Sequence, residues 1–227
     1  MTLPWHLAYP DVFDQIKGEV KTAYPDLHFS IEEERVVIHG SFPIVEGRSI
    51  LDRYSIEVRV PNNFPKDLPI VWEVGGRIPW VAERHVDGDG KACLFVPDER
   101  WRYFPQGATL RDFLEGPVRN FFISQSVFER TGNWPFGQRS HGSMGILEAY
   151  GEMLEIPTEP MIVSLFLALI AGRFYKGHWP CPCGRSTIFR KCHRPKVWEL
   201  RDRIGAENAN LTLEKLIRDL NIGSITR

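Results

Sequence analysis

The chain has 227 residues, 43% of them hydrophobic and 25% charged, with 28 Lys+Arg against 29 Asp+Glu. Such values are ordinary for a globular protein and exclude a disordered or fibrous chain. A net charge of -1 argues against bulk electrostatic binding to nucleic acid or to an anionic membrane, so no direct nucleic-acid partner is expected, although a local basic patch stays open.

The first helix is expected over Pro10–Ala23. Val12, Phe13, Ile16 and Val20 recur at helical spacing, and Pro10 suits a first turn. Strands follow. Val36, Val37 and Ile38 form a β-branched run, and Tyr54, Ile56, Val58 and Val60 alternate with polar residues. Pro61, Pro65 and Pro69 make a stiff connection that excludes helix, and Ile70, Trp72 and Val74 give one more strand. A helix followed by closely spaced strands predicts an α+β fold with an antiparallel meander. Residues 81–107 show little periodicity and hold the turn cluster Asp87-Gly-Asp-Gly90. Helix resumes near Thr109, with a second stretch from Pro117, and further helices are expected over 146–154, 160–174 and 211–220. The longest apolar run, 161–171, falls short of the roughly 20 residues of a membrane span. Met1–His6 lacks the basic and apolar regions of a signal peptide, so a cytoplasmic protein without a membrane partner is expected.

Three of the four cysteines fall within thirteen residues: Cys181, Cys183 and Cys192, the last followed by His193. Three thiolates and an imidazole make a Cys₃His set, a composition of closed structural zinc sites. Gly184 permits a sharp turn after the first pair, and Arg185, Arg190 and Lys191 can offset the thiolate charge. A group of free thiols is the plainer alternative. The spacing resembles the SEC-C motif, in which C-x-C, eight residues and then C-H bind one zinc ion. Thr187, Ile188 and Phe189 stand where that motif usually carries Gly and lysines. A closed site of this kind implies structural Zn2+ and no open position for catalysis.

Cys93 stands apart in His85-Val-Asp-Gly-Asp-Gly-Lys-Ala-Cys-Leu94. A free cysteine is often a small buried hydrophobe. A turn-rich loop with a nearby histidine raises the nucleophilic alternative. His85 orders the loop, shuttles a proton, or merely packs. Asp87, Asp89 and Asp98 either orient an incoming amine or are solvated. Trp101 is a shelf beside the thiol or a core residue. His141 could pair with Cys93 as a thiol hydrolase, or lie on a surface loop. The chain has no G-x-x-x-x-G-K-[ST] or G-x-G-x-x-G motif, and so no motif for forming an acyl-adenylate itself.

Residues 10–130 resemble the ubiquitin-conjugating-enzyme family. The resemblance rests on Pro61, Phe64, Pro65 and Pro69, then His85, the Cys93-Leu94 pair, and Trp101 eight residues after the cysteine. The family's His-Pro-Asn reads His85-Val86-Asp87 here, and the gap to the cysteine is shorter. A carboxylate at Asp87 cannot donate to an oxyanion unless protonated, so the Asn role does not carry over. The chain is most similar to bacterial relatives found in CBASS antiviral operons, in a short form without a fused activating domain. The resemblance implies an N-terminal helix, a four-stranded meander and C-terminal helices. It implies a conjugating-like domain over 1–145, a helical extension over 146–177, the zinc motif over 178–196 and a helical tail over 197–227. It also implies a thioester on Cys93, assisted by His85 and Asp87 beside Trp101 and Asp98. The acyl group would be the C-terminus of a cGAS-like nucleotidyltransferase, activated by a partner enzyme and transferred to target protein amines. An inactive conjugating-like adaptor and a hydrolase acting on a protein tail remain the alternatives.

Overall fold

The computed structural model describes residues 3–223. A single turn, α1 (Trp5–Ala8), leads into α2 (Pro10–Ala23). Trp5 is buried and anchors this start, its ring 5.6 Å from Phe13 and 5.4 Å from Phe64. Four strands follow: β1 (Leu27–Glu32), β2 (Arg35–Glu46), β3 (Ser49–Val60) and β4 (Ile70–Glu73). They pair in sequence order as an antiparallel meander.

The alternation in β3 sets the register. Tyr54, Ile56, Val58 and Val60 are buried, whereas Ser55 and Arg59 are exposed. A one-residue slip would turn that whole apolar set outward. The resemblance implies four strands, but the residue pattern places only three; the fourth is β1, where Leu27, Phe29 and Ile31 alternate with polar residues.

Beyond the sheet come α3 (Arg100–Tyr103), α4 (Leu110–Phe113) and α5 (Arg119–Thr131). Thr109 caps α4: its hydroxyl accepts from the Asp112 N–H while the Asp112 carboxylate accepts from the Thr109 N–H. One π-turn, Leu114–Val118, joins α4 to α5. It contains Pro117, which lacks the N–H that a regular helix would use there. Phe122 of α5 packs on Phe42 and Tyr54, 5.8 and 4.6 Å between ring centres, and Tyr24 stacks on Phe42 at 4.9 Å. Aromatic contacts of this kind fasten helices to the sheet.

The chain forms two units. One runs to Leu94 and resumes over Gln106–Gln138; the other comprises Phe95–Pro105 and the chain from Arg139 onward. The second unit contains α6 (Gly142–Leu154), α7 (Pro160–Ile170), α8 (Arg194–Ile204) and α9 (Ala206–Asp219). The apolar run of α7 is its buried centre, surrounded by residues such as Leu147, Tyr150, Leu200 and Leu216. The extension, Cys-rich segment and tail, distinguished as separate segments in the sequence, contribute to this one core. Phe95–Pro105, which falls within the expected 1–145 domain, belongs to the helical unit. Its Asp98 and Glu99 are buried there. Asp98 accepts from Tyr150 Oη at 2.7 Å and Thr212 Oγ1 at 2.6 Å, and Glu99 pairs with Arg102 at 3.1 Å. The tail also holds a full helix, α8, that the sequence reading did not separate.

Candidate functional site

Cys93 ends a small hairpin. The Asp87 N–H donates to the Lys91 carbonyl at 2.9 Å, the Gly90 N–H to the Asp87 carbonyl at 2.9 Å, and the Cys93 N–H to the His85 carbonyl at 2.8 Å. The turn needs Gly90, whose φ is +84°; a Cβ there would also lie 2.6 Å from the Trp80 ring. The hairpin docks on β4, the last strand of the meander. Trp72 bridges to Lys91, the Ala92 N–H donates to the Val71 carbonyl at 2.8 Å, and Trp72 Nε1 donates to the Asp89 carbonyl at 3.2 Å. An edge strand offers unpaired backbone groups for such docking.

The connection into this hairpin is fixed from below. Arg77 grips Asp52 with two hydrogen bonds, 2.6 and 2.7 Å, and also bonds Glu129. Ser126 Oγ donates to Asp52 at 2.7 Å. The Arg77 guanidinium beside Asp52 holds that carboxyl well below the usual carboxylate range. Glu73 accepts from the backbone N–H groups of Gly75, Arg77 and Ile78. Arg84 donates to the buried Gln125 at 2.7 Å, and Gln125 returns a bond to the Arg84 carbonyl at 2.6 Å. His85 adopts a left-handed backbone, and its ring meets Trp134 edge-on at 5.0 Å.

At the open end of the hairpin, Cys93 is exposed and its thiol donates to Asp87 Oδ1 at 3.2 Å. Desolvation by the surrounding loop, then the Asp87 carboxylate, pushes the thiol up to about 12. The thiol therefore keeps its proton at neutral pH and needs a base close at hand. Asp89 pairs instead with Lys91 at 2.6 Å. Cys93, His85 and Asp87 are thus brought into one hairpin. Trp101, Asp98 and His141 lie in the helical unit. Trp101 packs against the helical core, with the Arg102 and Arg203 guanidinium groups 5.0 and 5.4 Å from its ring. Asp98 is the buried acceptor described above rather than a solvated loop carboxylate, and His141 is the N-cap residue of α6. The sequence reading missed Trp80, Trp134 and Gln125, which shape and fix the hairpin. The tryptophans stood in its loops as isolated residues without a period to mark them.

The helical unit gathers Cys181, Cys183, Cys192 and His193, with their four ligand atoms all within 4.8 Å of one another. The Gly184 N–H donates to the Cys181 carbonyl at 3.2 Å, so the chain turns sharply there, with Gly184 at a φ of +80°. The short helical turn Phe189–Lys191 then delivers Cys192, and His193 opens α8. Cys183 and Cys192 sulfurs are 3.7 Å apart, and His193 Nδ1 lies 3.3 Å from Cys181 and 3.1 Å from Cys192. Bonds of about 2.3 Å to sulfur and 2.0 Å to nitrogen put the edges of a tetrahedral site at about 3.5–3.8 Å. His193 Nε2–H donates to the Leu154 carbonyl at 2.8 Å, which leaves the Nδ1 lone pair for a metal and orients the ring. Burial pushes the Cys181 thiol up to about 12, while the Arg185 backbone N–H and charge help hold Cys183 below its ordinary value against burial. These four residues can hold one metal ion.

No family model, curated protein or solved structure matches the chain. Fold and sites together define an α+β protein with an exposed thiol on a sheet-docked hairpin and a Cys₃His cluster able to hold a metal ion. No helix among the described residues is long and apolar enough to cross a membrane.

Proposed function

We propose that the chain is a ubiquitin-conjugating-like acyl carrier that uses Cys93 as its nucleophile. The observation that carries this reading is the Cys93 hairpin itself: an exposed thiol, docked on the edge of a four-stranded meander, with a carboxylate 3.2 Å from its sulfur. The order of Pro61, Phe64, Pro65, Pro69, His85 and Cys93-Leu94 supports the same family.

The first step needs an acyl donor already activated as a thioester on a partner enzyme. Cys93 sulfur attacks the donor carbonyl as its proton passes to Asp87. The donor thiolate leaves and takes that proton from Asp87, and the acyl group now sits on Cys93. A neutral target amine then attacks that carbonyl, gives a proton to the freed Asp87, and expels the Cys93 thiolate, which takes the proton back as the amide forms. The rigid hairpin supplies orientation, the larger part of such catalysis. By resemblance, the donor is the C-terminus of a cGAS-like nucleotidyltransferase, the acceptor is a protein amine, and the setting is CBASS antiviral defence in the bacterial cytoplasm. The Cys₃His cluster holds zinc, the metal that three thiolates and an imidazole in a closed tetrahedron select.

A second reading is an inactive conjugating-like adaptor. The Asp87 contact favours it, because a carboxylate facing a thiol opposes thiolate formation. Intact mass of tagged protein, recovered from its own cells under denaturing conditions, separates the two. A protein-sized adduct is expected in the wild type. It should be lost with reductant or hydroxylamine and absent from Cys93→Ala. A chain without adduct in every sample, with Cys93→Ala functionally silent, returns the adaptor.

A further inference from the structure

The near-neutral total conceals a segregation of charge. Residues 173–203 carry nine Lys/Arg against two acidic residues, a net +7, while the remainder of the chain nets -8. The same stretch exposes aromatic rings: Phe174 is 79% exposed, Trp198 53% and Trp179 37%. Single exposed apolar residues are ordinary, but several large rings set among cations mark an interaction surface.

The fold puts rings and cations together. Lys176 Nζ lies 5.5 Å from the centre of the Trp179 ring, and the Arg194 guanidinium 4.2 Å from that of Trp198. Phe174 meets Trp179 edge-on at 6.5 Å. Gly177 joins the two halves: its carbonyl accepts from the Arg190 N–H at 2.8 Å, and a Cβ there would lie 3.1 Å from Arg190 Cβ and 3.4 Å from Arg194 Nη1. None of the ion pairs among the described residues uses Lys176, Arg190 or Arg194. Lys176 and Arg190 are exposed, and Arg194 is half-buried. The Cys₃His cluster organises the patch, since Trp179 stands two residues before Cys181 and Arg194 directly follows His193.

We propose that this face binds single-stranded nucleic acid. Phosphates lie along Lys176, Arg190 and Arg194, and unpaired bases stack on Trp198 and Trp179. Cations supply salt-dependent affinity, and every base has a flat face to offer a ring. An acidic peptide would satisfy the cations and leave the rings without flat partners. A duplex keeps its bases stacked on one another and out of reach. This differs from the expectation set by net charge, which averages over a chain whose two signs are separated.

The test is fluorescence anisotropy with a labelled single strand of about 20 nucleotides and the full metal-loaded protein, across a salt series. Binding is expected to weaken with salt, with a log–log slope of about -2 for three phosphate contacts. Trp198→Ala should weaken binding about fivefold or more, as loss of one stacked base predicts, with the slope unchanged. Arg190→Glu should weaken binding and flatten the slope. Metal content reports whether each variant is folded, and Trp179→Ala, at the other stacking ring, substitutes if Trp198→Ala loses metal. The proposal is overturned by no binding at low salt, or by unchanged affinity in the folded ring variant. It is equally overturned if polyglutamate, anionic phospholipid vesicles or the duplex of the same sequence compete as well as the unlabelled strand.

Discussion

Asp87 accepts the Cys93 thiol proton at 3.2 Å, and its charge adds to desolvation in raising that thiol to about 12. Asp87→Asn removes the charge and keeps the shape. The thiol should then ionise more readily, and each unit of fall gives about a tenfold larger thiolate fraction at a fixed pH well below the pKa. Alkylation of Cys93 by iodoacetamide, followed by mass spectrometry across pH 7–10, should therefore speed up and show an earlier midpoint. An unchanged rate would mean that desolvation alone governs the thiol. At this scale the sequence was informative about chemistry and silent about company. Cys93, His85 and Asp87 were identifiable because six or fewer residues of turn separate neighbours in the set. Asp98 and Trp101 follow closely in sequence, yet their partners Tyr150, Thr212 and Arg203 are supplied from 50 to more than 100 residues away. No local pattern records that.

The element that aims the thiol is the connection from β4 to the hairpin, held by Asp52, Arg77 and Glu129. Asp52 has its folded pKa depressed, chiefly by the Arg77 hydrogen bonds. Its contribution to stability is accordingly present above the unfolded carboxylate range near pH 4 and is lost as pH falls through the lower folded value. Asp52→Asn should cost about 1–2 kcal/mol at pH 7, a figure reduced for the partial exposure of Arg77. The difference between variant and wild type should shrink below pH 4. Urea unfolding at pH 7, 5 and 3.5 measures this, and a pH-independent difference would remove the charge pair from the account. Legibility differed between elements for a physical reason. The β3 alternation and the apolar α7 are strong periodic signals. In α8 the buried Val197, Leu200 and Ile204 stand among charged residues directly after the metal ligands. Its amphipathic stripe is narrow, so α8 does not stand out as a separate helix at the start of the expected 197–227 tail.

In the whole molecule, the metal cluster and the core of the helical unit are one structure, since Cys181, Cys183 and Phe189 are members of that core. Cys192→Ala, or a strong chelator, should unfold or loosen the helical unit while leaving the meander protected. Amide hydrogen exchange resolves the two, and equal loss of protection in both would refute it. Metal affinity should also fall with pH, because binding must displace thiol protons. A chelator competition at pH 6 and 8 should show release about tenfold or more easier per unit of acidification. An affinity that ignores pH would exclude thiolate ligation.

Phe95–Pro105 has a further consequence, in time rather than space. The ribosome delivers Asp98 52 residues before Tyr150 and 114 residues before Thr212. At roughly 5–20 residues per second, that is about 6–23 s during which this carboxylate waits for its second partner. Val96 and Trp101, which pack against the helical core, wait with it. A nascent chain that has completed the meander is therefore still carrying an unfinished strip of its other half, joined to Cys93 through Leu94 alone. A chain cut after residue 138 would carry that strip permanently. One begun at Arg139 would leave the buried Tyr150 hydroxyl without its acceptor.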